Sequence, residues 1–388
     1  MFTGVYDMSF HNAASTRRST SAERAAASPW MRAVSALTYP LSPGDFIDSL
    51  LPHTPRAARG RVEHIERNGL DAATITLRCP RGWHGHQAGQ FINVGVDIDG
   101  VRHTRCYSIS SAPERDDGCF TITVKAIDNG RVSNHLVDNL MQGDVVLLGE
   151  PTGEFVLPTE LPQKLLLIAA GSGITPVISM LESLQAKDRI GDIVVIHSAP
   201  SPEAMIFGSE LEQMAQRHAG LTLHRFYTQH TGESRHAGEH RGRFAPAKLS
   251  RLCPDWQDRQ VWACGPDALL QSLEQQFDTA GIADHLHVER FRPALRAAVP
   301  GEVKEAQVQF SRSAVSATGN GAQSLLELAE ASGLSPEHGC RMGICHGCTT
   351  TLKAGCVRDM RNGEVFNEEG DLVQICVCAP VGDVDLEL

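Results

Sequence analysis

Three cysteines fall within nine residues in the stretch CRMGICHGC, at 340–348. Cysteines at that density either bind a metal or pair as disulfides. Eleven cysteines, an odd number, in a 388-residue chain without a recognisable secretory leader favour a reducing compartment, and metal over disulfides. Cys340-x4-Cys345-x2-Cys348 is a ligand spacing for a [2Fe–2S] centre, which also needs a distant fourth cysteine. QICVCAP (374–380) offers Cys376 and Cys378, with 27 and 29 residues between them and Cys348. Soft sulfur suits iron that changes oxidation state. Gly339, Gly343 and Gly347 let the loop close around a compact cluster and turn N–H groups toward its sulfurs. A structural zinc site would need a second paired knuckle, and a Rieske centre two histidine ligands; the stretch supplies neither.

Two further groups of residues suit phosphate and planar rings. In RCYSIS (105–110), Arg105 offers a fixed fork of donors to a pyrophosphate. Tyr107 shares its strand face and can stack on a heterocycle, with Ser108 as a small hydrogen-bonding group beside it. KAIDNGRVSNHL (125–136) puts Gly130 and Ser133 at a strand-to-helix turn, where free N–H groups can hold phosphate. AAGSGITPV (169–177) follows a buried strand and opens a helix; Gly171 and Gly173 let that turn approach a pyrophosphate. Pro176 stands where a third glycine would be expected, and proline suits a first helical turn. ACGP (263–266) ends another strand of the same kind. Taken singly, each also fits an ordinary barrel strand or a buried structural cysteine.

The elements that must position these groups fall into three blocks after an N-terminal extension at 1–54. Residues 55–160 carry short β-type runs (ATITLRC, QFINVGVDI, CFTITVKAI, DVVLLG) separated by Gly, Asp and Pro turns, the pattern of an antiparallel barrel or sandwich. At 161–296 buried strands (KLLLIAAG, DIVVIHSA, LTLHRFY, QVWACG) alternate with helical segments, which predicts a doubly wound parallel sheet. RPALRAAVPGEVKE (292–305) reads as a linker. Residues 303–388 combine strands, one helix and the cysteine loop in a small α+β unit.

Together and in this order the motifs resemble the ferredoxin–NADP reductase superfamily, followed over the last 85 residues or so by a plant-type ferredoxin domain. The resemblance implies an antiparallel β-barrel flavin domain, an α/β doubly wound nicotinamide domain and a β-grasp ferredoxin domain. It implies FAD in preference to FMN, with Arg105 on the phosphates, Tyr107 flanking the isoalloxazine and Ser108 near its reactive nitrogen. Gly130, Val132 and Ser133 would cap the pyrophosphate. Gly171, Gly173, Thr175 and Pro176 would receive NADPH or NADH. The segment Cys264, Gly265, Pro266 would border the nicotinamide ring. HVERF (287–291) is similar to the family's closing strand, so Phe291 would cover the flavin face and Glu289 would orient or shuttle protons. The C-V-x-x-P form of the ferredoxin ending selects Cys376 as the fourth ligand beside Cys340, Cys345 and Cys348. No acid follows the second strand in VIHSAPSP (195–202) to read a 2′-hydroxyl. Arg225, Arg235, Arg241 and Arg243 are the candidates for a 2′-phosphate, and the balance leans to NADPH.

The implied activity is an NAD(P)H-dependent oxidoreductase that converts a two-electron donor into single electrons for an acceptor protein. YPLSPGDFIDSLLP (39–52), GWHGHQAGQFINVGVDIDGVRHTRCYSISS, CRMGICHGCTT and CAPVGDVDLEL resemble reductase partners of bacterial fatty-acyl desaturases. The rival acceptors are Rieske-type or di-iron soluble oxygenases, and a redox sensor is the alternative from another class. Net charge is −11, which argues against nucleic acid, and 13 acids face 6 bases in residues 301–388. Such an acidic domain suits docking on a basic partner, and equally a solvated acidic surface that keeps the protein in solution. The most apolar run, LLLIAAGSGITPVISML (165–181), is too short and too broken to span a membrane, so the expectation is a cytoplasmic monomer with at most peripheral membrane contact.

Overall fold

The computed structural model describes residues 58–128, 130–229, 238–291, 305–319, 321–339, 341–343 and 346–388. The N-terminal extension, the linker 292–304, Arg235 and two expected cluster ligands, Cys340 and Cys345, lie outside the described residues.

The first block contains β1 (Ala58–Arg67), β2 (Ala72–Arg78), β3 (Phe91–Ile98), β4 (Val101–Ser108), β5 (Cys119–Lys125), helix α1 (Arg131–Asp138) and β6 (Val145–Leu148). The strands pair antiparallel in the order β4-β3-β6-β1-β2-β5. Ile109, just past β4, bridges to Ile122 of β5, so the two ends of the sheet meet and it curls into a barrel. Alternation drives this: Ile75 and Leu77, Ile92 and Val94, Phe120 and Ile122 point inward and are essentially fully buried.

The second block contains β7 (Lys164–Ala170), α2 (Ile174–Ala186), β8 (Asp192–Ala199), α3 (Gly208–Arg217), β9 (Leu221–Tyr227), β10 (Glu239–Arg241), α4 (Leu249–Leu252), β11 (Gln260–Cys264), α5 (Asp267–Ala280) and β12 (Leu286–Glu289). All pairings are parallel, in the order β10-β9-β8-β7-β11-β12. The chain winds outward from β7 through β8 to β10, then returns to lay β11 on the other side of β7. Strand order reverses between β7 and β11, and a crevice opens past the carboxyl ends of strands at such a point. The motifs AAGSGITP and ACGP are the turns that leave those two strands.

The third block contains β13 (Ala306–Phe310), β14 (Val315–Gly319), α6 (Leu325–Ala331), β15 (Thr349–Asp359), β16 (Val365–Phe366), β17 (Leu372–Gln374) and β18 (Cys378–Leu386). The order is β14-β13-β18-β15-β16, with β17 against β15; β13 and β18 run parallel and the other pairs antiparallel. Helix α6 starts with a capping box: Ser324 Oγ accepts from the Glu327 N–H and the Glu327 carboxylate accepts from the Ser324 N–H. Its Leu325, Leu326, Leu328 and Ala329 pack into the core of this sheet. The expected three-part architecture is therefore the observed one. Among the described residues no helix is long and apolar enough to cross a membrane.

Candidate functional site

Pairing of β4 with β3 (Arg105 opposite Val94, Tyr107 opposite Ile92) brings the Arg-x-Tyr-Ser run to the barrel wall. Arg105 Nη1 donates to the Thr104 carbonyl at 2.7 Å, and no carboxylate holds the guanidinium in an ion pair among the described residues. Burial, with Arg341 nearby, pulls its pKa below the ordinary value. Burial pushes the Tyr107 hydroxyl the other way, upward. Ser108 is 5% exposed, and its Oγ is buried without a hydrogen-bond partner among the described residues. An orphaned buried hydroxyl costs free energy unless something fills the space beside it.

Gly130 is the N-cap of α1. A Cβ there would lie 2.3 Å from Ser133 Oγ and 2.4 Å from the Ile127 side chain, so any larger residue would have to displace both. Ser133 Oγ donates to the Gly130 carbonyl at 3.3 Å and accepts from the Ile127 N–H at 3.4 Å. The hydroxyl thus shapes the turn, and Val132 sits in the barrel core.

On the nicotinamide side, β7 runs into a 3-10 turn at Gly171–Gly173 and then α2. The two glycines have different reasons. Gly171 adopts φ +58° with open space where a Cβ would be. A Cβ on Gly173 would sit 2.2 Å from the Cys264 carbonyl oxygen. Gly173 is therefore required for packing of the turn on β11, where sequence reasoning had assigned both glycines to phosphate approach. Thr175 Oγ1 donates to the Ser172 carbonyl at 3.0 Å, and Pro176 is the third residue of α2. Gly265 packs on Ala170, 3.1 Å from where its own Cβ would be, and Pro266 caps α5.

The parallel register places Cys264 beside Ala169 on one side and Glu289 on the other. Cys264 is fully buried, and burial, reinforced by Glu289, pushes its thiol well above its ordinary pKa. Glu289 Oε2 is also buried without a partner, and burial raises its carboxyl pKa to about 8.

These pieces surround a cavity of about 470 Å³. Tyr107 and Ser108 line it from the barrel, Thr175, Glu289 and Phe291 from the α/β block, and Met342 from the cysteine loop. Gly171, Gly173, Cys264, Gly265 and Pro266 are not among its walls; they shape it from behind, through Glu289 and the turn into α2. Thr123, Lys125 and Arg290 line it and were not expected. The signal for the first two was visible as polar residues alternating along CFTITVKAI. Arg290 is held by Asp267 at 2.9 Å and Glu274 at 2.6 Å. The cavity's two orphaned oxygens, stacking ring and lone guanidinium fit a phosphate-bearing flavin.

In the cysteine region, Cys348 and Cys376 are both buried in the core of the third block. The Ile375 N–H donates to the Cys348 carbonyl at 3.3 Å, which brings the two backbones together. Cys376 lies in the turn before β18, whereas Cys378 is the first residue of β18, paired with Asp359 of β15. Gly343 adopts φ +70°, and a Cβ there would lie 2.3 Å from Arg361 Nη1. Arg361, unforeseen in the sequence, ties the loop down: it donates to the Gly343 carbonyl at 2.6 Å, to Gln374 Oε1 at 3.1 Å and to the Asp359 carboxylate. Buried thiols on a loop pinned in this way fit a thiolate-held cluster. Arg225, a candidate for a 2′-phosphate, is buried between Glu212 and Glu239, its charge already met; Arg241 and Arg243 are exposed.

Comparison with known proteins gives the same three parts. Residues 60–157 match the oxidoreductase FAD-binding domain family, 167–275 the oxidoreductase NAD-binding domain and 309–381 the 2Fe-2S iron-sulfur cluster binding domain. An NADPH oxidoreductase of Mycobacterium tuberculosis is 38% identical over 96% of each chain. A glycine betaine monooxygenase reductase subunit of Pseudomonas aeruginosa is 33% identical over 77% of this chain and 86% of its own. A phthalate dioxygenase reductase structure superposes with a TM-score of 0.58 at 25% identity, covering 85% of this chain and 97% of that one. These names favour oxygenase reductases over the desaturase partner first expected; none mentions a desaturase. Matched part by part and in order to FAD-binding, NAD-binding and 2Fe-2S domains, the barrel, the parallel sheet and the cysteine-bearing block make this chain a member of the NAD(P)H-dependent FAD/[2Fe–2S] electron-transfer reductases.

Proposed function

We propose that the chain is the reductase component of an oxygenase system, taking electrons from NADPH and delivering them singly to a soluble iron oxygenase. One observation carries this: all three blocks contribute a wall to a single cavity, Ser108 from the first, Glu289 from the second and Met342 from the third. When bound, flavin accepts a hydride and releases its electrons one at a time, and a [2Fe–2S] centre held by Cys340, Cys345, Cys348 and Cys376 accepts single electrons.

The chain's own residues align and shield. Arg105 would hold the flavin's phosphate, and Tyr107 would offer its ring as a stacking surface. Ser108 gives its unpartnered Oγ to a ring heteroatom. Gly171 leaves open space for a dinucleotide at the turn into α2. Phe291 and Met342 keep water from the cavity. Arg241 and Arg243, exposed at and beyond the end of β10, are the donors available to a 2′-phosphate.

Glu289 keeps a proton at its carboxyl near neutral pH. Its pKa of about 8 lies above the carboxylate range, so the proton is present below that pH and lost as pH rises through it. Glu289→Gln, which mimics the protonated form, should flatten the alkaline fall in flavin reduction rate centred near pH 8. An unchanged pH profile in the variant would remove Glu289 from that role.

The membrane desaturase remains a second reading on one ground. The M. tuberculosis relative aligns over 380 residues, enough to include the N-terminal extension, whereas the P. aeruginosa reductase subunit aligns over 318. The experiment is anaerobic titration of the purified protein with NADPH, then NADH, followed through the visible spectrum. Flavin and iron–sulfur bands bleached at much lower NADPH concentration support the proposal. A protein with flavin bands alone after iron–sulfur reconstitution defeats it. Turnover with candidate acceptors then separates hydroxylated from desaturated product.

A further inference from the structure

The seam between the barrel and the third block is lined by basic groups from both sides. On β4, His103 and Arg105 share a face, with Arg131 of α1 close by and paired to Asp99 at 2.9 Å. Opposite them, His338 stands just before the cysteine loop and Arg341 is its second residue. His338 Nδ1 donates to the Pro336 carbonyl at 2.9 Å, which leaves Nε2 to accept from Arg341 at 3.0 Å, so this histidine is neutral. Arg341 is forked onto Glu330 of α6, its Nη1 at 3.0 Å from Oε2. Glu330 is the acid that faces this group, and Arg341 already claims it.

Two nitrogens in the seam are left over. Arg341 Nε and His103 Nε2 are buried and have no partner among the described residues. Arg341 also adopts φ +57°, a conformation that non-glycine residues keep only where surroundings impose it. Burial is the main cause that lowers the pKa of both Arg105 and His103, and Arg341 adds to it from across the seam, second in weight on Arg105 and least on His103. Glu330 takes only the Nη atoms of Arg341, so its Nε and the Arg105 guanidinium are what the seam offers to an anion. The residue after Arg341, Met342, is a wall of the flavin cavity, so the seam and the cavity are continuous.

We propose that the phosphate-bearing tail of the flavin is the counter-ion of this seam, gripped by Arg105 from the barrel and by Arg341 from the ferredoxin block. Flavin retention and docking of the ferredoxin block then support one another. This rests on the assignment of Arg105 to the flavin phosphates.

The test measures flavin release from the full-length holoprotein, by fluorescence of the filtrate after dilution, with the cluster's visible band as the check that the third block is folded. Arg341→Gln should speed FAD release about tenfold, the scale of one charge-assisted hydrogen bond, and the effect should shrink at high salt. Riboflavin, which lacks phosphate, should bind Arg341→Gln and the parent equally well. Glu330→Gln, which frees the Arg341 charge, should slow FAD release. Retention of FAD by Arg341→Gln at the parental rate, with Arg105→Gln losing it, overturns the proposal and leaves the Arg105 assignment standing. Retention by Arg105→Gln as well overturns both. Equal weakening of riboflavin and FAD would mean general loosening and also sinks the idea, as would faster release from Glu330→Gln.

Discussion

Cys376→Ala should leave a yellow protein whose flavin is still reduced by NADPH, but whose iron–sulfur absorbance is gone and whose transfer to one-electron acceptors falls at least about 100-fold. Removing a thiolate ligand should cost no less than the 10–100-fold typical of outer-shell changes at metal sites. Cys378→Ala should keep the cluster. The distinction follows from local structure. Cys376 sits in an irregular turn, one residue past Ile375, whose N–H bonds the Cys348 carbonyl and so brings the two cysteines' backbones together. Cys378 opens β18 and is locked in register with Asp359 of β15, which holds its backbone in the sheet. Reversed behaviour of the two variants, read from the visible spectrum after reconstitution, would exchange their roles.

Gly173→Ala should strongly impair the reaction with NADPH. The added carbon would meet the Cys264 carbonyl oxygen at 2.2 Å and the Gly265 nitrogen at 2.9 Å, both backbone atoms that no rotamer can move. Overpacking of this kind costs about 1–3 kcal/mol. The larger effect is on alignment, because the turn into α2 and the end of β11 would be forced apart. A displacement of about 1 Å at a reacting centre can cost about 100-fold in rate. Flavin reduction by NADPH should fall on that scale, with flavin retention unchanged. Gly191→Ala, where nothing lies within 4 Å of the new carbon, should stay within about 0.5 kcal/mol of the parent and keep full activity. Normal NADPH kinetics in Gly173→Ala would show that the turn and β11 can separate without consequence.

The elements that alternate or run apolar were legible from the sequence. CFTITVKAI and QFINVGVDI became β5 and β3, and KLLLIAAG and QVWACG became β7 and β11, because side-chain period and burial decide those segments locally. The Arg-x-Tyr-Ser run and Glu289 were legible as candidates and do line one cavity. What the sequence hid depends on distant partners. Nothing in AAGSGITP says that Gly173 answers to Cys264 while Gly171 faces open space. Arg225 looked like a free cation until the fold set it between Glu212 and Glu239. Arg361 and Arg341, apart in sequence and alike in composition, receive their roles only when β15 and α6 fix where Asp359 and Glu330 stand.

Strand β18 carries a consequence for how the molecule is made. It lies between β13 and β15, so Val308 must find Val384 across nearly the whole third block before the sheet has a centre. Pairings between residues so far apart form late, because the loop they close must lose its freedom first. Until then the cysteines of 340–348 and 374–378 belong to an open chain, and each is an exposed thiol. Biogenesis therefore has a window in which iron delivery competes with oxidation, and refolding in air should trap disulfide-linked species that refolding under reductant avoids.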